Sequence, residues 1–194
     1  MKSVLLLGSV LLLSACGSMQ SQVVKKNVSF DPGSQAQIRS YGSYGSDLIR
    51  IYPETDCAKW EGTKRNAVNR RFVNGLPRKV RNISIGIPPT ELSRKTEKDT
   101  GFVFRDSYRE MVVSGNQPVV LDGAFSSQTR NHHYSCRVAA SFTPKAGEAY
   151  EVRYLSEEEG CDIEVYHIGH EEKDGVRQTK KLTANYCARP GTSF

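Results

Sequence analysis

Residues 134–142 read YSCRVAASF, and every second residue from Tyr134 to Phe142 is apolar, aromatic or cysteine. Side chains alternate between the two faces of an extended strand, so this period of two predicts a strand with one buried face. Residues 149–155 (AYEVRYL) and 161–167 (CDIEVYH) repeat the pattern after short turns. Long helical periodicity is absent. We therefore expect a mainly β fold, an antiparallel β-sandwich-like domain with long loops.

Strands are also predicted on the N-terminal side of this stretch. Residues 107–113 and 119–125 read as two strands joined by a hairpin turn at 114–118 (SGNQP). Farther upstream, residues 36–41 and 47–52 flank a glycine-bearing turn, GSYGS, which predicts a second hairpin.

Three other segments have less regular patterns. Residues 82–87 (NISIGI) alternate as a strand that two prolines then stop. Residues 90–101 (TELSRKTEKDTG) are predicted to be a polar, charged connection. Residues 176–181 are predicted to be a polar lead into a closing strand at 182–187.

The N-terminus carries a short apolar run behind Lys2, from Val4 to Leu13. Ten residues are too few to cross a bilayer, which takes about 20. An ordinary secretory signal has small side chains one and three residues before the cleavage site. For cleavage before Cys16 the residue three positions earlier is Leu13, which is not small, so an ordinary signal is disfavoured. The sequence Leu13-Ser14-Ala15-Cys16 resembles the lipobox of bacterial lipoproteins.

The resemblance implies that residues 1–15 are a signal peptide and that Cys16 becomes the acylated N-terminal residue. In that family, aspartate after the cysteine retains a protein in the inner membrane; here the position is Gly17, which favours the outer membrane, facing the periplasm or the outside. Residues 16–35 are then expected to be the lipidated cysteine and a flexible tether, with a first strand within 23–30 as the alternative. Residues 36–194 form one β-rich domain.

Four cysteines remain once Cys16 is assigned to lipid. An even number in an oxidising compartment predicts two disulfides. The absence of C-x-x-C spacing disfavours a redox pair or a zinc clip. In a flat sheet with strands in chain order, the strand at residues 149–155 would lie between Cys136 and Cys161. Two strand spacings would then separate these cysteines by about 9.6 Å, which is too far for a disulfide. The pairing stays open, with a preference for bridges from Cys136 and Cys161 to Cys57 and Cys187.

The chain is basic, with a net charge of +6, and its positive residues are concentrated between residues 64 and 81, where no carboxylate occurs. Such a run is usually a solvated loop. The alternative is a contact surface for an anionic envelope component. Aromatic residues are too sparse here to favour nucleic acid. The residues concerned are Lys64, Arg65, Arg70, Arg71, Arg78, Lys79 and Arg81.

No motif of a known catalytic class is present, and no cofactor or metal site is expected. The histidines His132, His133, His167 and His170 are the candidates tested for a metal site. His132 and His133 point to opposite faces of a strand, so at most one of them could join a site with His167. Trp60, Phe72 and Tyr108 are interpreted as packing residues.

Three functional classes are compatible with these features. We expect a non-catalytic binding or structural module of the cell envelope, held to the membrane through Cys16. Its partner would be an envelope protein or an anionic lipid. An inhibitor, immunity-type or secretion-apparatus lipoprotein is the alternative, and an unrecognised hydrolase is the third.

Overall fold

The structure, a computed structural model, describes residues 23–42, 48–63, 66–68, 72–73, 76–77, 81–99, 106–128, 130, 133–157 and 160–188. The predicted signal peptide and Cys16 lie outside the described residues, as does the tether up to residue 22.

Within the described residues, the chain forms fourteen strands and one helix. In chain order they are β1 (Val23–Lys25), β2 (Gln35–Gly42), β3 (Leu48–Pro53), β4 (Asn66–Val68), β5 (Phe72–Val73), β6 (Leu76–Pro77), β7 (Asn82–Ser84), α1 (Glu91–Lys98), β8 (Ser107–Ser114), β9 (Val119–Gln128), β10 (His133–Phe142), β11 (Ala149–Glu157), β12 (Gly160–Lys173), β13 (Val176–Leu182) and β14 (Asn185–Tyr186).

Two sheets make up the domain. Sheet A has seven strands in the order β1-β7-β8-β2-β11-β12-β13, and sheet B has five in the order β14-β10-β9-β3-β4. The mainly β fold with two disulfides is confirmed. Sheet B is antiparallel as expected, whereas sheet A is mixed, because β1–β7, β7–β8 and β2–β11 are parallel pairs. β5 and β6 pair separately.

The core lies between the inward faces of the two sheets. Sheet A contributes residues such as Ile38, Val152 and Val165, and sheet B contributes Ile51 and Leu121, all buried in one cluster. The predicted alternation along β8 to β12 produces this arrangement, since every second side chain of each strand enters the core.

Two predicted hairpins were wrong, because their strands belong to different sheets. β2 pairs with β8 and β11 in sheet A, while β3 pairs with β9 and β4 in sheet B. The strands on either side of residues 114–118 separate in the same way, β8 into sheet A and β9 into sheet B. Both sheets have apolar inner faces, so the pattern of a strand does not show which sheet it joins.

The disulfide preference was also wrong. Cys136 bonds to Cys161, with Cα atoms 6.0 Å apart, and Cys57 bonds to Cys187, with Cα atoms 5.0 Å apart. The prediction treated β10, β11 and β12 as neighbours in one flat sheet. In the fold, β10 lies in sheet B and β12 in sheet A, so Cys136 faces Cys161 across the sandwich.

Three segment assignments also need correction. Residues 23–25 form β1, which pairs with β7 and leaves Val23 and Val24 partly buried, so the alternative of a first strand within residues 23–30 replaces the tether there. Residues 176–181, assigned to a polar lead, belong to edge strand β13, whose exposed residues are polar because one side faces water. The predicted strand at 82–87 ends at Ser84.

The segment expected to be a polar connection contains helix α1. Thr90 is its N-cap: the Thr90 hydroxyl accepts a hydrogen bond from the Ser93 amide, and the Ser93 hydroxyl accepts one from the Thr90 amide. This reciprocal arrangement is a capping box, which stabilises the first turn. The side chains that the helix buries are Ser93 and Thr96, so it has no apolar stripe that the sequence pattern could reveal.

Candidate functional site

Arg39 lies between two glutamates on the outer face of sheet A. In the strand register it is directly opposite Glu110 on β8 and Glu151 on β11. Its Nε donates to Glu110 Oε1 at 2.9 Å, and its Nη1 donates to Glu151 Oε1 at 2.9 Å. Its Nη2 donates to the carbonyls of Ile87 and Pro88. Arg39 is 1% exposed and each glutamate 3% exposed, so this is a buried ion-pair network.

The second carboxylate oxygen of Glu110 binds the backbone that follows β7. Glu110 Oε2 accepts hydrogen bonds from the Ser84 hydroxyl and from the amides of Ile85, Gly86 and Ile87, at 2.7 to 3.2 Å. These amides donate to a side chain instead of to a neighbouring strand. That explains why β7 ends at Ser84.

Glu151 fixes the start of α1 to the sheet. Its Oε1 accepts a hydrogen bond from the Tyr41 hydroxyl at 2.6 Å and from the Thr90 hydroxyl at 2.5 Å. Thr90 is the N-cap residue of α1. The helix also contacts β8, where the Tyr108 hydroxyl donates to Glu97. The network therefore holds α1 and the preceding loop against the outer face of sheet A.

Electrostatics keep both Arg39 and Tyr41 protonated. Burial lowers the pKa of Arg39, but Tyr41 and the carboxylates of Glu110 and Glu151 raise it, and the net pKa is above its usual value. Burial, reinforced by Glu151, raises the pKa of Tyr41 well above its usual value. Arg39 therefore stays charged, and the Tyr41 hydroxyl stays protonated and donates its hydrogen bond to Glu151.

A second charged cluster occupies the outer face of sheet B. The carboxylate of Asp122, which is fully buried, accepts hydrogen bonds from Arg50 and, at both oxygens, from Arg137. The Arg137 guanidinium also lies over the ring of Trp60, 5.4 Å from its centre. The hydrogen bond with Asp122 raises the pKa of Arg137 above its usual value, although burial opposes the shift.

Trp60 and the Cys57–Cys187 disulfide cover this face of sheet B. Trp60 is 4% exposed and packs edge-on against Tyr52, with ring centres 5.2 Å apart. Trp60, Tyr52, Val120 and Cys187 form a small buried cluster, with Cys57 packed against it. The segment containing Trp60 is thus attached to sheet B by packing, by the disulfide and by the Arg137 contact.

The three described histidines lie at two separate places, His167 and His170 beside Glu148 and His133 on β10. His167 and His170 both face Glu148, with nitrogen–oxygen distances of 2.8 and 3.6 Å. The hydrogen bond with His167 is the main reason that the pKa of Glu148 is below its usual value. His133 is exposed on β10 and lies 3.4 Å from the Ser126 hydroxyl, while His132 lies outside the described residues. In the described ranges, no cluster of three or more histidine, cysteine or acidic residues has a geometry suited to a metal ion.

The other predicted site residues can be located in part. Arg81 is the one described member of the basic cluster, and it is exposed just before β7. Tyr108 is 2% exposed and, like Trp60, is a packing residue as predicted. The side chain of Phe72 is not described. Lys64, Arg65, Arg70, Arg71, Arg78 and Lys79 lie outside the described residues.

The sequence pattern reveals neither of the two charged clusters. Arg39, Glu110 and Glu151 alternate with inward-facing residues, so the strand pattern assigns them correctly to the outer face. Outer positions are normally solvated, and only the packing of the segment from residue 85 to residue 98 turns them into a buried network. Asp122 was missed for the same reason, since the segment around Trp60 covers it.

Comparison with known proteins gives no assignment: no family model, no curated protein and no solved structure matches this chain. Across the described part of the chain, no helix combines the length and apolar character needed to span a membrane.

Proposed function

We propose that this protein is a lipid-anchored lipoprotein of the bacterial outer membrane and that it acts as a non-catalytic binding or structural module of the cell envelope. Its anchor is an acylated Cys16, and its folded part is the two-sheet domain. This proposal joins the lipobox-like N-terminus with the properties of the fold.

The observation that best supports the envelope location is the arrangement of the four remaining cysteines. All four are in bonding pairs: Cys136–Cys161 joins the two sheets, and Cys57–Cys187 joins the segment after β3 to the segment after β14 over sheet B. Disulfides persist in oxidising compartments such as the periplasm and are rare in the cytosol. A secreted, lipid-anchored domain would form both bonds after export.

The charged clusters favour a binding or structural role over catalysis. Arg39 with its two glutamates fixes α1, and Asp122 with its two arginines lies under the segment around Trp60. In both clusters the described contacts hold one part of the fold against another. Such networks give a rigid scaffold, on which exposed loops or edges can bind a partner.

The anchor is tested by mass spectrometry of protein purified from membranes. We expect an N-terminal peptide that begins at Cys16 and carries diacylglycerol and an amide-linked acyl chain. Cys16→Ala should prevent both processing and membrane retention. Ser18→Ala is the matched control, because it changes the same segment without touching the acylated cysteine. An unmodified Cys16, or a cut at another position, would contradict the proposal.

The binding role is tested by cross-linking in intact cells, followed by purification under denaturing conditions. We expect one envelope component to be recovered with the wild-type protein and to be lost with a secreted, unanchored form. If the recovered component is a hydrolase and the purified protein inhibits it, the inhibitor alternative replaces the structural one. Turnover of an envelope polymer by the purified protein would contradict a non-catalytic role.

A further inference from the structure

The first described strand lies close to the proposed anchor. Only seven Cα steps separate Cys16 from Val23, and a fully extended chain covers about 23 to 25 Å in that number of steps. β1 is an edge strand of sheet A. The opposite edge, β13, is six strand spacings away, about 29 Å at roughly 4.8 Å per strand. Chain length thus ties one particular edge of the sheet to the membrane.

That edge carries three exposed positive side chains. Lys25 ends β1, Lys26 follows it, and Arg81 precedes β7. β1 and β7 run parallel, with Val23 opposite Asn82, so Arg81 lies at the end of the sheet where the chain arrives from Cys16. We call Lys25, Lys26 and Arg81 the β1 edge patch.

The charges of the β1 edge patch are not neutralised by ion pairs with any other described residue. The exposed carboxylate of Asp106 precedes β8 at the same end of the sheet. A second carboxylate lies beside it, because Asp99 Oδ2 accepts a hydrogen bond from the Asp106 amide at 2.9 Å. The two carboxylates offset two of the three positive charges at most, so a net positive charge remains. The patch therefore presents positive charge to whatever surface the anchor holds it against.

At the opposite edge of sheet A, positive and negative side chains are equal in number. They are Lys173, Arg177, Lys180 and Lys181, and Glu164, Glu171, Glu172 and Asp174. Lys181 on β13 is paired with Glu164 at 2.7 Å, and Arg177 is 4.0 Å from Glu172. Glu171 and Asp174 are exposed at the connection between β12 and β13. An anionic surface would attract the β1 edge more strongly than the β13 edge.

We propose that the β1 edge patch is the membrane-facing surface of the domain and contacts anionic lipid headgroups, an inference that rests on the proposed anchor at Cys16. The lipid chains supply the attachment, and the patch sets the orientation of the domain. Sheet A then stands with β1 towards the bilayer and β13 away from it. Sites near β13 are left open to a partner in the periplasm or outside the cell.

The test uses the mature lipidated protein reconstituted in vesicles, either of phosphatidylcholine alone or with phosphatidylglycerol added. A membrane-impermeant amine reagent labels accessible lysines, which are quantified by mass spectrometry. One lysine at an anionic surface favours the bound orientation about fivefold. We therefore expect labelling of Lys25 and Lys26 to fall about fivefold or more in the anionic vesicles. Lys173 and Lys180, exposed on β12 and β13, serve as the internal control and should not change.

Salt gives a second measurement on the same samples. The screening length falls from about 10 Å at 0.1 M to about 3 Å at 1 M salt. Protection of Lys25 and Lys26 should disappear at 1 M salt if it comes from headgroup charge. Protection that persists at 1 M salt, or that also appears in neutral vesicles, would overturn the proposal.

Charge reversal separates the two edges. Arg81 is left unchanged and its accessibility is measured with an arginine-reactive reagent. Lys25→Glu combined with Lys26→Glu should abolish the protection of Arg81 in anionic vesicles, whereas Lys173→Glu combined with Lys180→Glu should leave it intact. Equal effects of the two double variants would overturn the proposal. An unmodified Cys16 in the N-terminal peptide would instead refute the anchor, so the two failures are distinguishable.

Discussion

The ring of Tyr154 in sheet A lies directly over Gly123 in sheet B. A Cβ atom added to Gly123 would collide with the Cδ2 and Cε2 atoms of this ring. The Tyr154 hydroxyl reaches past the glycine and donates to the carbonyl oxygen of Cys136 at 3.1 Å. One side chain thus crosses the core and bonds to the opposite sheet, at a position that only glycine leaves open.

Gly123→Ala is expected to destabilise the protein by about 1 to 3 kcal/mol, the usual cost of overpacking a closed core. Tyr154→Phe loses only the hydrogen bond, so it should cost about 0.5 to 1.5 kcal/mol. Urea unfolding measures both. In the background of Tyr154→Leu the alanine should cost much less than in the wild type, because the ring is gone. An equal cost in both backgrounds would show that the collision is not the cause.

The strands were predictable where the sequence alternates over a long stretch. β8 to β12 follow the pattern because each directs one row of mainly apolar side chains into the core between the sheets. The assignment of strands to sheets was not predictable, since the inner faces of sheets A and B are similarly apolar. The false hairpins and the wrong disulfide preference share this cause. Once β10 is placed in sheet B, the pairing of Cys136 with Cys161 follows.

Helix α1 and the Arg39 network depend on each other, which explains why the sequence showed neither. The helix buries Ser93 and Thr96 in place of apolar residues. Thr90 followed by Ser93 is a capping signal, but without an apolar stripe it predicts little. Arg39 is buried only because the segment with α1 covers it, and that segment is held in turn by the glutamates that bind Arg39.

Arg39→Met should be strongly destabilising, because it leaves Glu110 and Glu151 buried without their cation. Removing one partner of a buried ion pair typically costs about 3 to 5 kcal/mol. Lys180→Met, on the exposed edge of β13, is the control and should change stability by less than about 0.5 kcal/mol. The free energy of unfolding in urea measures both. A loss for Arg39→Met as small as that of the control would mean that the network is not needed for stability.

Removal of the two disulfides should lower the free energy of unfolding by different amounts. In the loop-closure model the entropic contribution rises with the number of residues enclosed. The sequence separation is 130 residues for Cys57–Cys187 and 25 for Cys136–Cys161. The model then gives about 5.0 and about 3.5 kcal/mol respectively. Replacing each pair with alanines and measuring unfolding in urea tests this order.

Peptide mapping without reduction is the control for the disulfide comparison. It should recover Cys57 linked to Cys187 and Cys136 linked to Cys161 in the wild type, and the remaining native bond in each double variant. Peptides that join Cys57 to Cys136 or to Cys161 would contradict the fold itself, since they would place β10 or β12 in the wrong position.

Glu164 should make stability depend on pH in the acidic range. Burial raises the pKa of Glu164, but hydrogen bonds from Lys181, Arg153 and Tyr166 lower it more, so the pKa in the folded protein is below its usual value. In the unfolded chain a glutamate titrates near about 4.3. Because the pKa of Glu164 is lower in the folded state, its ionised form stabilises the fold. This stabilisation is fully present at a pH above the unfolded-state pKa and is lost as the pH falls through the folded-state pKa.

Glu164→Gln removes this charge and should therefore cost stability at pH 7 but not at low pH. Because Arg153 and Lys181 are partly exposed, solvent reduces the effect, and we expect about 1 to 2 kcal/mol at pH 7. The difference between variant and wild type should shrink as the pH falls below about 4.3. Glu171→Gln, at an exposed position on the same strand, should show no such difference at either pH. Urea unfolding at a series of pH values measures the curves, and a Glu164→Gln curve parallel to the wild type across the acidic range would contradict the assigned role.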